Sequence, residues 1–481
     1  MGSVAKLTES EAGVWKGGQA LKDLLKFIDE HRRGGCSHEE DFEDFERELR
    51  RRFSEAEREV VGEELARLDV TLPEIVIEGI RHRRVVSGYG EYMTAAGPVK
   101  VLRHRYRAVG TNGESECPME WRAGIVEGFF TPLAAHLGVW AVTHLTPEES
   151  ESLFRELGGM TPSRSSLDRL PKGLSEKWEA RRPEWEAQLR AQEEPVVAAA
   201  VLAVSLDGVM APMKDGQREA RREQSRQEGK QTRGPSGYRE VGCGTVSLYD
   251  AEGERLRTVR TARMPESKKR TLKRQLVAEV EHAFRQQPHL RLVKVADGAR
   301  DNWEFLAKEL PPGVEVVDFY HAAEHLKRAF DHAYGEGAPK ARACFAAYRQ
   351  VLLKVEDGVD KVIRTLAYHH KRKPRCDKLK QELAYFRRNR SRMDYARLRA
   401  QNLPIGSGVV EATCKTLVTQ RMKRSGQRWT SDGGQAILTF RALAQSDRFD
   451  AAWQMVSAEY RRDVSFPENV VPINAYRVAS V

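Results

Sequence analysis

The chain has 481 residues, 40% of them hydrophobic, and carries 80 lysines and arginines against 70 acidic residues for a formal charge of +10. That length allows two to four domains with a core each, and the basic excess favours a polyanionic partner such as nucleic acid. No apolar run reaches the roughly 18 residues of a membrane span, and the opening MGSVAKLTESEAG lacks the apolar segment of a secretory signal, so an intracellular, cytoplasmic protein is expected.

Residues 1–79 read as an N-terminal amphipathic helical region. Within it, Phe42, Phe45, Leu49 and Phe53 recur at helical spacing among dense mixed charge. That stripe suits either packing within its own domain or self-association of two chains. Residues 80–192 change period. RHRRVVSGYGEYMTAAGPVKVLRHRYRA has β-rich runs broken by Gly88, Gly90, Gly97 and Pro98, which predicts a small antiparallel meander. PEESESLFRELGGMTPSRSSLDRL then predicts helix, glycine turn and second helix, the order of a helix-turn-helix, with the second helix opened by Thr161 and Pro162. Its Arg164 and Arg169 are candidates for contacts in a DNA major groove. A separate charged helix holding Trp178 and Trp185 is expected next.

From 193 to 321 strands and helices alternate: a strand ending at Asp207, two strands joined through DAEGE, a helix, a strand ending at Asp297, a helix, and a last strand GVEVVDFYH. A meander followed by strand-crossing helices predicts an α/β core of the RNase H-like kind. The stretch 214–240, with eight basic and five acidic residues, reads as a mobile loop. Residues 322–400 are helical and basic and read as an insertion in that core. Its last part, 401–450, carries GSGVVEATCK, and 451–481 reads as a tail.

The six cysteines, Cys36, Cys117, Cys243, Cys344, Cys376 and Cys414, form no CxxC pair, so they are read as reduced thiols and metal chemistry is expected to use oxygen ligands. Candidate carboxylates are Asp207 and Asp297 at strand ends before glycine, and Glu411 one turn into the helix after GSG. Two aspartates on adjacent strands and a glutamate on a neighbouring helix can hold two Mg²⁺ or Mn²⁺ ions and cut a phosphodiester without a covalent protein intermediate. His321 is a candidate to orient a phosphate or the second aspartate. Arg421, Lys423, Arg424 and Arg428 are candidates to grip the strand being cut, with Trp429 available to stack on a flipped base.

The run IGSGVVEATCKTLVTQRMKRSGQRW, with SLDG and ADGA, resembles the DDE transposases of bacterial insertion sequences, closest to the ISKra type, over roughly residues 80–450. The resemblance implies an RNase H-like core and catalytic roles for Asp207, Asp297 and Glu411. It also matches Asp318 to His321 to an aspartate-x-x-histidine element after the second catalytic aspartate. It implies double-stranded DNA, both element ends and target, as partner, and a homodimer or larger assembly on that DNA. Two further readings compete: an RNase H-like nuclease that cuts without joining, and a DNA-binding regulator whose transposase-like core is inactive.

Overall fold

The computed structural model describes residues 18–33, 41–214, 223–229 and 237–465. They fall into two compact units, one formed by residues up to Leu174 together with those from Trp453 onward, the other by Ser175–Ala452. The division therefore lies inside the segment expected to end at 192, and the residues after Trp453 join the first unit. Much of the 214–240 loop lies outside the described residues. No helix among the described residues is long and apolar enough to cross a membrane. Cys117, Cys243, Cys344, Cys376 and Cys414 are free thiols.

In the first unit, α1 (Gln19–Arg33) lies against α2 (Phe42–Arg67), which starts at Asp41, whose carboxylate accepts from the Glu43 N–H at 3.1 Å. Phe45 stacks on Phe27 at 5.8 Å and on His31 at 4.1 Å, whereas Phe42 and Phe53 stay exposed. The apolar stripe is thus split between an internal contact and the surface. A four-stranded sheet follows, in the order β3 (Gly97–Ala108), β2 (Ile80–Thr94), β1 (Glu74–Ile77) and the short strand Val464–Ser465. β1, β2 and β3 pair in turn as an antiparallel meander, but β2 and β3 form one long hairpin that turns before Gly97, and Gly88 and Gly90 lie within its pairing opposite Arg103 and Val101 and break nothing. A Cβ at Gly90 would stand 2.7 Å from the Arg103 side chain. Glycine there leaves room for Arg103 to reach Tyr92 and Glu120, which is a reason for its presence other than a turn.

Helices α3 (Pro118–Ala123), α4 (Pro132–His144) and α5 (Pro147–Leu157) come next. Thr146 and Glu149 close a reciprocal capping box on α5. After Gly158 and Gly159, both at positive φ, α6 runs unbroken from Arg164 to Gln192. The expected second helix and the tryptophan-bearing helix are therefore one. Ser163, whose Oγ accepts from the Ser166 N–H at 3.2 Å, takes the starting role expected of Thr161 and Pro162.

The second unit is built on a five-stranded sheet in the order β6 (Arg255–Arg263), β5 (Tyr238–Tyr249), β4 (Val201–Pro212), β7 (Arg291–Ala296), β8 (Val314–Val317). The first three pair antiparallel and β4, β7 and β8 pair parallel. The parallel strands are sheathed by α7 (Arg270–Gln286), α8 (Arg300–Lys308) and later helices, which is why β4 and β7 read as continuous apolar runs. Residues 319–400 are wholly helical apart from their connections: α9 (Phe319–Tyr334), α10 (Pro339–Lys354), α11 (Gly358–Arg372), α12 (Asp377–Arg388), a 3-10 turn and α13 (Tyr395–Ala400). The chain returns to the sheet through α14 (Gly408–Thr413), a π-helical turn at Cys414–Thr419, and α15 (Ser431–Ala444).

Candidate functional site at the edge of the five-stranded sheet

Asp207 does not end its strand. β4 continues to Pro212, but its parallel pairing with β7 stops at Ser205, while its antiparallel pairing with β5 carries on, Asp207 facing Cys243. Asp207 therefore stands where the sheet has lost one neighbour, at the carboxyl end of β7, the edge at which open α/β sheets bind ligands. Its Oδ1 accepts from the Gly208 N–H at 2.7 Å, and the Cys414 thiol lies 3.8 Å from Oδ2. Burial pushes this carboxyl up from its ordinary value, and the Asp297 carboxylate pushes it the same way, against the Gly208 N–H, His321 and Lys269.

Asp297 directly follows β7. Its Oδ1 accepts from the Ala299 N–H at 3.0 Å and the Asn302 Nδ2 at 3.2 Å, a local turn that starts α8. Gly298 sits at φ +94°, and a Cβ there would meet the Tyr385 ring at 2.9 Å. The Tyr385 hydroxyl donates to the Asp297 carbonyl at 3.3 Å, so a residue of the helical stretch braces the aspartate's backbone.

The segment expected as a strand end at DFYH is instead the start of a helix, with Asp318 as N-cap of α9. Asp318 is fully buried, and three donors surround it. Oδ1 accepts from the His321 N–H at 2.7 Å and from His321 Nδ1 at 3.2 Å, and Oδ2 accepts from the Ser407 N–H. Burial pushes its pKa up, but the bonds from His321 and Ser407 outweigh that and the net displacement is downward. His321 is raised to about 9, first by its bond to Asp318, with the charges of Asp318, Asp297 and Glu411 adding against burial. At neutral pH it is an imidazolium.

Glu411 lies in the first turn of α14, where the Ser407 hydroxyl donates to Oε1 at 2.8 Å and His321 Nδ1 stands 3.9 Å from the same oxygen. Among the described residues, the ligand-capable atoms of Asp318, His321 and Glu411 lie within 4.8 Å of one another, a group that excludes Asp207 and Asp297. Both Asp318 oxygens are occupied by N–H donors, so in this conformation that trio is a hydrogen-bonded charge cluster. Glu411, 44% exposed at its side chain, is its most exposed member. A π-helical turn follows within three residues of Glu411, a feature frequent at functional sites.

The other expected contacts divide. Arg421 is 1% exposed, and its guanidinium lies 5.3 Å above the Trp429 ring, whose Nε1 donates to the Met422 carbonyl at 3.0 Å. Arg421 continues the buried face of Leu417, Val418 and Met422 and so offers no surface cation, whereas Trp429 is half-buried. Lys423 and Arg428 are exposed and Arg424 is half-buried. In the first unit, Arg164 and Arg169 are exposed on α6, Arg164 pairing with Glu148 at 3.2 Å. Ser407, Asn302 and Tyr385 belong to the site without standing out in the sequence. The only signals they leave there are a hydroxyl four residues before Glu411 and an amide five residues after Asp297.

No protein-family model matches the chain, and none of the curated proteins matches it. Among solved structures, the chain is similar to a Drosophila P element transposase strand transfer complex, at 11% identity and a TM-score of 0.25, covering 69% of this chain and 84% of that one. So slight a likeness decides neither the fold nor the chemistry of this chain.

Proposed function

We propose that this protein is a DDE transposase of the ISKra type, which cuts DNA strands at the ends of an insertion sequence and joins them to target DNA. The observation that carries the reading is the approach of Asp207 and Asp297 at one sheet edge, with Glu411 delivered beside His321 by a helix that returns from far along the chain. The strand order, three antiparallel strands followed by two parallel ones, supports an RNase H-like core.

The donor set fits hard divalent cations: carboxylate oxygens, with Asp297 close enough to disfavour the charge of Asp207. Asp207, Asp297 and Glu411 would hold two Mg²⁺ or Mn²⁺ ions, which when bound supply activation of water or a 3′-hydroxyl and stabilisation of the leaving oxygen. The chain's own groups do the positioning. Asn302 and the Ala299 N–H fix the Asp297 carboxylate, Asp318 holds His321 as a cation beside the three acids, and Ser407 aims Glu411. An imidazolium there offers a donor to a phosphate oxygen.

Asp207→Ala, Asp297→Ala and Glu411→Ala should each lower Mg²⁺-dependent nicking of DNA bearing the element's ends by roughly 10³-fold or more, since a lost metal ligand removes several kcal/mol of transition-state stabilisation. Binding to the same DNA should persist. Substantial nicking by any of the three would remove that residue from the triad.

A further inference from the structure

One cavity of the second unit opens next to Asp297 and has no part in the cluster of carboxylates. It is about 340 Å³ and is lined by Gly298, Arg300, Trp303, Arg388, Asn389 and Arg392. Its walls come from two places far apart in the sequence, the first turns of α8 and the end of α12 with the 3-10 turn beyond. The volume lies at the small end of ligand pockets. It suits one nucleotide and not a duplex.

The lining has two chemistries. Arg300 and Arg388 are exposed, come from different helices, and make no ion pair within 4 Å among the described residues. Their guanidinium forks match phosphate oxygens. Glu304 also lines the cavity, but Lys308 holds it at 2.7 Å and lowers its pKa, so its charge is offset locally. Arg392 is committed to Glu315 at 2.6 Å, and its guanidinium carbon lies 4.2 Å from the centre of the Trp303 ring. That stack presents a planar, polarisable surface of the sort on which bases and sugars settle. Trp303 is 5% exposed, and its buried indole N–H meets no acceptor among the described residues.

The cavity is also mechanically joined to the site. Asn389 Nδ2 donates to the Tyr385 carbonyl at 3.1 Å, and the Tyr385 hydroxyl donates to the Asp297 carbonyl. Gly298 belongs to the cavity wall and to the backbone of the catalytic turn at once.

We infer that this cavity receives a single nucleotide of a DNA strand adjoining the phosphate to be cut, its phosphate held by Arg300 and Arg388 and its base or sugar on the Arg392–Trp303 stack. The inference rests on the transposase reading for its substrate, but it is testable without cleavage. The full chain is titrated, without divalent metal, with a short single-stranded DNA oligonucleotide over a range of salt, and a photoreactive base in the same strand is crosslinked and the adduct mapped.

Wild type should crosslink at Trp303. The Arg300→Ala/Arg388→Ala double variant should bind at least about tenfold more weakly, with a salt slope flatter by roughly 0.7, the share of the one strand phosphate the two arginines hold. A double variant with the wild-type affinity and slope, or crosslinks confined to other residues, would overturn the proposal. So would displacement of the strand by inorganic phosphate at equal concentration, which would make the cavity a site for free anions. Strand binding here by a wild type that cuts no DNA would sink the transposase reading and leave the cavity's role standing. Cleavage with an unaltered KM in the double variant would do the reverse.

Discussion

Ser407 joins two parts of the site with one residue. Its backbone N–H is bound by Asp318 and its hydroxyl by Glu411. Ser407→Ala keeps the backbone bond to Asp318 and removes the hydroxyl from both carboxylates, so we expect the fold to persist while kcat for nicking falls roughly tenfold, about the worth of one hydrogen bond to a charged group. Ser407→Thr should restore much of the loss. Equal activity in Ser407→Ala and wild type would reduce the hydroxyl to a bystander. His321 gives a second test through pH. Its folded-state value of about 9 lies above its ordinary 6.5. Its contribution to stability is therefore complete below 6.5 and is lost as pH rises through about 9. Thermal melts of metal-free protein should show wild type losing its advantage over His321→Gln across that window, and a pH-independent difference would contradict the assignment. An aspartate before glycine after an apolar run, and a glycine turn before Glu411, are what flag Asp207, Asp297 and Glu411 in the sequence, although Asp207 lies within its strand and only Asp297 follows a strand end. Asp318 is harder to place, since a buried N-cap and a strand-end residue look alike in an apolar run.

Among the elements, the apolar strands, α7 and the helices of 319–400 follow the periodicity of the sequence, whereas the hairpin and the unbroken α6 do not. Glycine inside a strand marks either a break or a close approach, and only the position of Arg103 distinguishes them at Gly90. Ionic ties between elements have no periodic signature at all. Arg448 joins Glu279 of α7 at 2.8 Å and Glu193 at 2.7 Å, and Arg190 of α6 reaches Glu279 at 3.1 Å. Arg448 and Glu279 are at most 9% exposed. Arg448→Ala should cost about 3–5 kcal/mol in denaturant unfolding, because two carboxylates lose their shared cation. A cost below about 1 kcal/mol would show that water enters the gap. Glu279 is pushed up by burial, but Arg448 and Arg190 bring it below its ordinary 4.5. Its contribution is therefore present above that value and lost as pH falls beneath it.

At the scale of the whole molecule, the two units separate the expected tasks. The first holds the exposed Arg164 and Arg169 on α6 after a glycine turn, and the second holds the carboxylates. If α6 reads the element's ends, Arg164→Ala and Arg169→Ala should each cost roughly 1–3 kcal/mol on end DNA and less on random DNA, measured by equilibrium binding. Equal losses on both would make them backbone contacts. On the proposed function, joining two ends would call for at least two such chains, so mass measurement with end DNA should give a dimer or more. Phe42 and Phe53 are the exposed members of the α2 stripe to test for that contact, since Phe45 is occupied by Phe27 and His31.

Asp318 and Ser407 meet across 89 positions of chain, and nearly everything between them is helix. During translation the two aspartates and the sheet that bears them leave the ribosome well before Glu411 has been polymerised. On the proposed function, a nascent chain would then carry both aspartates while still lacking the third carboxylate. A message truncated anywhere between codons 319 and 410 would yield a protein with helices α1 to α6 and both aspartates but without the glutamate. If the proposed function holds, such a fragment would compete with the complete chain for the element's ends, so that a premature stop would silence the element in trans as well as in cis.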